Sequence, residues 1–285
     1  MAVNTLEAPP SEPAPTVGKT VALLVGASHA NALKRANETF ETDTSSFVFR
    51  VLAHGTDGLP GGATVFRADG QPMLSPIIHK ALATYRRRKP TPRVWLVSAL
   101  SGNEANRLSL LRHPEAFDFV DPFHPGEPVD PTARLLPYDL LVDVMQRHLE
   151  GLERALGLFV RQSVEGVVQI APPPPLRGAE QVRGLLSERT INAALRRGAT
   201  KDDIEISPDS SRLRMWRLES RVTRAICERL GVHYLAPTNA LIDDDGFRGL
   251  DSAGDAIHGN AKWGTAILDE AANLIKAQQE GIAHG

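Results

Sequence analysis

Four short stretches, far apart in the chain, carry the residue types that acyl transfer requires. Ser28 stands in "VGASH", just past an apolar run. Asn103 stands in "SGNE" (residues 101–104), Gly58 closes "GTDG" (residues 55–58), and Asp255 and His258 bracket "DAIH". The chemistry needs a hydroxyl nucleophile, a base within hydrogen-bond reach, a carboxylate to fix that base, and donors aimed at a tetrahedral oxyanion. Ser28, His258 and Asp255 match the first three roles. The Asn103 side-chain amide and the backbone N–H groups of Ser28 and Gly58 match the fourth, with Gly55, Gly61 and Gly62 as competitors for the place of Gly58. A spacing of three in a non-helical loop lets Asp255 hold Nδ1 of His258 and leaves Nε2 for the serine.

Ser28 has two other readings. Serine is a favoured helix N-cap, and a helix N-terminus can hold phosphate. Against phosphate, "GASHAN" lacks the closely spaced glycines and lysine of phosphate loops. His29 adjoins the serine and is expected in a supporting or substrate-contact role. His54, at the end of the second apolar run, either lines the pocket or is simply exposed. His79, His113, His124 and His233 show no spaced carboxylate or histidine partner, so no metal site is expected. Asp243, Asp244 and Asp245 before Gly246 lack the twelve-residue calcium pattern and read as an acidic turn.

Such residues need a scaffold that brings distant loops to one rim. Five short apolar runs, at residues 20–25, 47–53, 93–100, 166–171 and 232–235, alternate with segments of helical period. That alternation predicts an α/β fold with a parallel sheet and helices on both faces. The near-continuous hydrophobicity of the runs fits strands buried on both sides. One helical stripe runs Leu74, Ile77, Ile78, Ala81, Leu82, Tyr85 into the cations of "RRRKP". A second runs Leu141, Val144, Met145, His148, Leu149, Leu152, Leu156, Phe159, and a third runs Met215, Leu218, Val222, Ile226, Leu230 to Gly231. The last carries Trp263, Ile267, Ala271 and Leu274. Trp263 and Phe247 are read as core. Two long irregular stretches, residues 55–72 and 113–137, follow the second and third strands and are expected at the ligand crevice.

Composition narrows the partners. With 32 Lys plus Arg against 34 Asp plus Glu, no excess charge points to nucleic acid or anionic lipid. The one cysteine, Cys227, excludes an internal disulfide and reads as a buried inert thiol in a reducing compartment. Residues 1–17 are rich in Pro, Glu and Ser, without a basic or apolar leader, and read as a disordered tail. No apolar run approaches the roughly 20 residues of a membrane helix. A cytoplasmic protein is expected.

The order of these motifs resembles the SGNH hydrolase superfamily, which includes the GDSL esterases and lipases. "VGASH", "SGNE" and the Asp-x-x-His pair resemble its first, third and fifth blocks, and "VVQIAPPPP" (residues 167–175) resembles its fourth strand. The family has Asp before the serine where this chain has Ala27, and Asn-Asp where this chain has Asn103 and Glu104. The resemblance implies a flavodoxin-like three-layer α/β/α sandwich with a five-stranded parallel sheet, in one domain spanning residues 18–281. It implies Ser28 as nucleophile, Asp255 and His258 as its partners, and an oxyanion hole of Ser28, Gly58 and Asn103. It also implies no metal or cofactor, and hydrolysis or transfer of an ester-linked acyl group. With no long apolar lid segment and no secretion leader in the sequence, a short O-acyl group such as acetyl, on a small molecule or carbohydrate, is expected. Glu104 joins His29 and His54 as an expected substrate contact. The alternative is an inactive binding module of the same fold for a phosphate-containing or sugar ligand.

Overall fold

The computed structural model describes residues 19–40, 46–53, 59, 62–88, 91–100, 102–196 and 204–283. The expected tail, residues 1–17, lies outside them. In chain order the elements are β1 (Thr20–Gly26), α1 (Ala30–Thr39), β2 (Phe47–Ala53), β3 (Thr64–Phe66), β4 (Pro72–Leu74), α2 (Pro76–Arg87), β5 (Arg93–Ala99) and α3 (Glu104–Ser109). Then come β6 (Phe117–Asp118), β7 (Arg134–Leu135), α4 (Tyr138–Val160), β8 (Gly166–Ile170), α5 (Ala179–Gly184), α6 (Glu188–Leu195), α7 (Asp209–Leu230), β9 (His233–Leu235) and α8 (Ala261–Ala283).

The central sheet runs β2-β1-β5-β8-β9 with every pair parallel. Its strands coincide with the five apolar runs to within a residue or two. β1 is buried at all seven positions, and the two-residue period of a strand sends its side chains to opposite faces. Val21, Leu23 and Val25 pack with Ile78 and Leu82 of α2, Met145 and Leu149 of α4, and Leu218 and Ile226 of α7. Ala22 and Leu24 pack with Leu33 and Ala36 of α1 and Trp263, Ile267 and Ala271 of α8. The result is three layers. From β1 the chain first builds the edge strand β2 and then crosses to β5 on the other side, so the loops after β1 and β5 diverge at the carboxyl edge of the sheet. That is where open parallel sheets place their ligands.

Two sequence expectations need correction. Leu74 does not head the α2 stripe: it lies in β4, which pairs antiparallel with β3, and the helix starts at Pro76, whose missing N–H is harmless in a first turn. Residues 113–137 are not an open crevice loop. Buried Asp118 fastens them to α7: its Oδ1 accepts from Phe119 N at 2.9 Å and Arg214 Nε at 3.2 Å. Its Oδ2 accepts from Asp130 N at 2.9 Å, Ser211 Oγ at 3.0 Å and Arg214 Nη2 at 2.7 Å. A buried carboxylate is tolerable when so fully satisfied.

α1 and α8 share one face of the sheet, and Gly264 lets them meet closely. A Cβ added there would lie 2.5 Å from the Ala32 carbonyl oxygen and 2.8 Å from Ala36 Cβ. Since α1 starts just after Ser28 and α8 just after His258, this contact sets the distance between the two loops. Gly264→Val is expected to force the helices apart, lowering stability by about 1–3 kcal/mol as overpacking does. Urea denaturation measures the effect, and an unchanged midpoint would show that the contact is slack.

Candidate active site

β1 ends at Gly26, and residues 27–29 form a tight turn into α1. Ala27 N donates to Ala99 O at 3.2 Å on β5, Ala30 N to Ala27 O at 3.0 Å, and Asn31 N to Ser28 O at 3.2 Å. The turn is thus braced by main chain, at the place where the family has an Asp and this chain has Ala27. Ser28 is not the N-cap. That position is His29, with helical dihedrals and no side-chain cap bond. Ser28 sits one residue earlier, exposed, and its Oγ lies 2.8 Å from His258 Nε2, contributed by a residue 230 positions away.

The Asp255 loop is built by its own carboxylate. Oδ1 accepts from Ile257 N and His258 N, each at 2.7 Å, and Oδ2 lies 2.8 Å from His258 Nδ1. With Nδ1–H donating to Asp255, Nε2 is left as the acceptor for the serine hydroxyl. Burial pushes the Asp255 carboxyl up, but the hydrogen bonds from the His258 ring and from the backbone of His258 and Ile257 outweigh it and hold the pKa at about 2. The group is ionised at neutral pH. Behind it, buried Arg248 donates through Nη2 to Asp255 O at 3.4 Å. Burial draws the Arg248 guanidinium down to about 10 against the pull of Asp255, so it keeps its charge. Asn260 anchors the loop to α8, with Oδ1 accepting from Trp263 N at 3.2 Å and Nδ2 donating to Asp251 O at 2.8 Å. Trp263 itself is core, as is Phe247.

Asn103 follows β5 at the N-cap position of α3, where its side chain makes no cap bond and its Oδ1 is buried without a partner. Gly102 before it has φ +123°, a left-handed value that glycine accommodates. His29 is only 3% exposed. Its Nε2–H donates to Gly102 O at 2.8 Å, and its ring packs on that of His258 with centroids 4.8 Å apart. Burial first, then the neighbouring His258, hold the His29 pKa down to about 3 against the Gly102 bond, so the ring is neutral. Glu104 is directed to α4, pairing with His148 Nδ1 at 3.3 Å and with Arg107 Nη1 at 3.3 Å. His54, Gly58, Gly55 and Gly61 lie outside the described residues.

Two features escape a linear reading. Glu219 of α7 is 1% exposed, and its Oε2 accepts from Ala105 N at 2.8 Å. Burial pushes its carboxyl up to about 7, opposed by the Ala105 bond. Its one sequence signal is a carboxylate set among Met215, Leu218 and Val222 of an apolar stripe. The other is a second Asp-x-x-His. His124 does have a carboxylate three positions before it, Asp121, whose Oδ2 lies 3.2 Å from its Nδ1 and 2.9 Å from Arg221 Nη2. That pair belongs to the 113–137 segment on α7. Among the described residues no three His, Cys, Asp or Glu side chains converge as metal ligands.

The site therefore offers an exposed serine hydroxyl, an imidazole oriented to take its proton, and an ionised carboxylate fixing the imidazole, at the carboxyl edge of a parallel sheet. No protein-family model matches the sequence, and no curated protein matches it. Solved structures similar to this chain include the periplasmic domain of a lipopolysaccharide acetyltransferase from Salmonella ser. Paratyphi A. It is 13% identical over 91% of this chain and 85% of its own, with a TM-score of 0.45. A GDSL-like lipase from Bacteroides thetaiotaomicron is 12% identical over 93% of this chain and 89% of its own, with a TM-score of 0.37. A carbohydrate acetylesterase from Sinorhizobium meliloti is 12% identical over 91% of this chain and 99% of its own, also at 0.37. At these identities and TM-scores the likeness assigns no activity to this chain.

The neutrality of His29 has a thermodynamic signature. In the unfolded chain the imidazole binds a proton below its ordinary value of 6.5, and in the folded protein only near 3. Between those values unfolding takes up a proton, so this residue makes the protein less stable as pH falls. Relative to His29→Gln, the wild type is expected to lose about 1.4 kcal/mol of stability per pH unit below 6.5. Urea titrations across that range measure it, and parallel wild-type and variant curves would rule out a neutral buried ring.

Proposed function

We propose that the protein is a serine esterase or O-acyltransferase of the SGNH type, acting through an acyl-enzyme on Ser28. The observation that supports this best is the unbroken hydrogen-bonded line Asp255–His258–Ser28, with 2.8 Å at each of its two links. The Ser28 Oγ attacks an ester carbonyl while His258 Nε2 takes its proton. Asp255, ionised and held by two backbone N–H groups, stabilises the imidazolium that forms. The tetrahedral oxyanion is received by the Asn103 amide and the N–H groups of Ser28 and Gly58. His258 then protonates the departing alcohol, and water or a second hydroxyl, activated by the same nitrogen, takes the acyl group. No cofactor is required.

The substrate in this reading is a short O-acyl ester, such as an acetyl ester of a small molecule or carbohydrate, handled by a single domain of residues 18–281. A cytoplasmic setting fits a chain whose one cysteine, Cys227, can form no internal disulfide. Among the described residues no helix is long and apolar enough to cross a membrane.

A fluorophosphonate probe is expected to label the wild type at Ser28, and p-nitrophenyl acetate to be hydrolysed. Ser28→Ala and His258→Ala are each expected to lower turnover about 10⁴-fold or more. A wild type that neither labels nor outpaces these variants would overturn the assignment. Asn103→Ala is expected to cost about 10²–10³-fold in kcat with KM little changed, the pattern of a donor that acts on the transition state. A loss confined to KM would instead make Asn103 a substrate-binding group.

A further inference from the structure

Resting on the esterase reading above, we propose that His29 and Glu219 are positioning residues. Together they fix the turn of residues 102–105 at its two ends, and through it the aim of the Asn103 amide. The first carbonyl of that turn, Gly102 O, accepts from His29 Nε2 at 2.8 Å, and its last amide, Ala105 N, donates to Glu219 Oε2 at 2.8 Å. Both side chains are buried, at 3% and 1% exposure, so water does not compete for either bond.

The turn needs such support. α3, which it opens, is six residues long, too short to be stable by itself. Asn103 makes no cap bond, and its Oδ1 has no partner to hold the amide. The two clamps come from rigid places. Glu219 belongs to a 22-residue helix packed into the core. His29 belongs to the same turn as Ser28, so one hydrogen bond ties the segment carrying the nucleophile to the segment carrying the oxyanion donor. The fit is close: a Cβ at Gly102 would lie 2.7 Å from His29 Nε2 and 3.0 Å from Pro172 Cβ. A displacement of about 1 Å at a catalytic group can cost 10²-fold in rate, so a loose turn would be felt in kcat.

The test is a double-mutant cycle on p-nitrophenyl acetate hydrolysis. His29→Phe and Glu219→Leu remove each bond while keeping apolar bulk. His29→Gln and Glu219→Gln keep a side-chain donor and acceptor respectively. The two disrupting variants, their folding checked by circular dichroism, are expected to lose about 10–100-fold in kcat with KM nearly constant. In an Asn103→Ala background the same changes are expected to alter kcat less than about threefold, because their effect passes through Asn103. The Gln variants are expected to recover most of the rate. Equal losses in both backgrounds, or no loss in the Asn103 protein, would overturn the proposal. A readout without turnover is the Asn103 side-chain amide signal in ¹⁵N–¹H spectra, assigned by its disappearance in Asn103→Ala. It should shift or broaden in the two disrupting variants and stay in the Gln variants; an unmoved signal also overturns the clamp. Should Ser28→Ala hydrolyse as fast as the wild type, the esterase reading falls while this signal still judges the clamp.

Discussion

The contact between α1 and α8 on one face of the sheet is the constraint on which the site rests. Ser28 and His258 precede these two helices, and neither loop could find the other without them. Close packing at Gly264, against Ala32 and Ala36, brings the helix starts together. Leu33 on one helix and Trp263 and Ile267 on the other enter one hydrophobic cluster with Ala22 and Leu24 of β1. The 2.8 Å approach of Ser28 Oγ to His258 Nε2 is thus a consequence of core packing, and the hydrogen bond itself is weak beside the apolar burial that holds it in place.

Electrostatics then assigns Asp255, Arg248 and His29 one protonation state each. Asp255 is kept ionised by three hydrogen bonds despite partial burial, and Arg248 behind it keeps its charge despite being almost wholly buried. His29, its ring tilted against that of His258, is kept neutral by burial. A second cation there would disfavour the imidazolium that His258 becomes in the proposed reaction. The same neutral ring donates from Nε2 to Gly102, so its burial serves both geometry and charge.

Much of this was legible from residue types and periods. The apolar runs gave five strands, because strands covered on both faces must be apolar throughout, and the helical stripes gave α4, α7 and α8 with their buried residues. The place of Asn103 at a strand end followed from the same alternation. The role of Ser28 at its helix was not legible: an N-cap and an exposed hydroxyl one position earlier differ only in backbone dihedrals. Nor was Glu219, which stands 114 positions from its partner Ala105, or the conversion of residues 113–137 into a strap by Asp118 and Arg214.

The two Asp-x-x-His pairs mark the boundary most plainly. Local chemistry is the same in both, a carboxylate bonded to the Nδ1 of a histidine three positions on, at 2.8 Å for Asp255–His258 and 3.2 Å for Asp121–His124. Strands, helices and short-range turns were written in the order of the residues, since these depend on hydrophobic period and on bonds within a few positions. Which pair meets the serine was not, because it depends on packing between distant parts of the chain. The crossing order of the sheet and the packing of α8 on α1 carry one pair to Ser28, while the pairing of Asp121 with Arg221 keeps the other on α7.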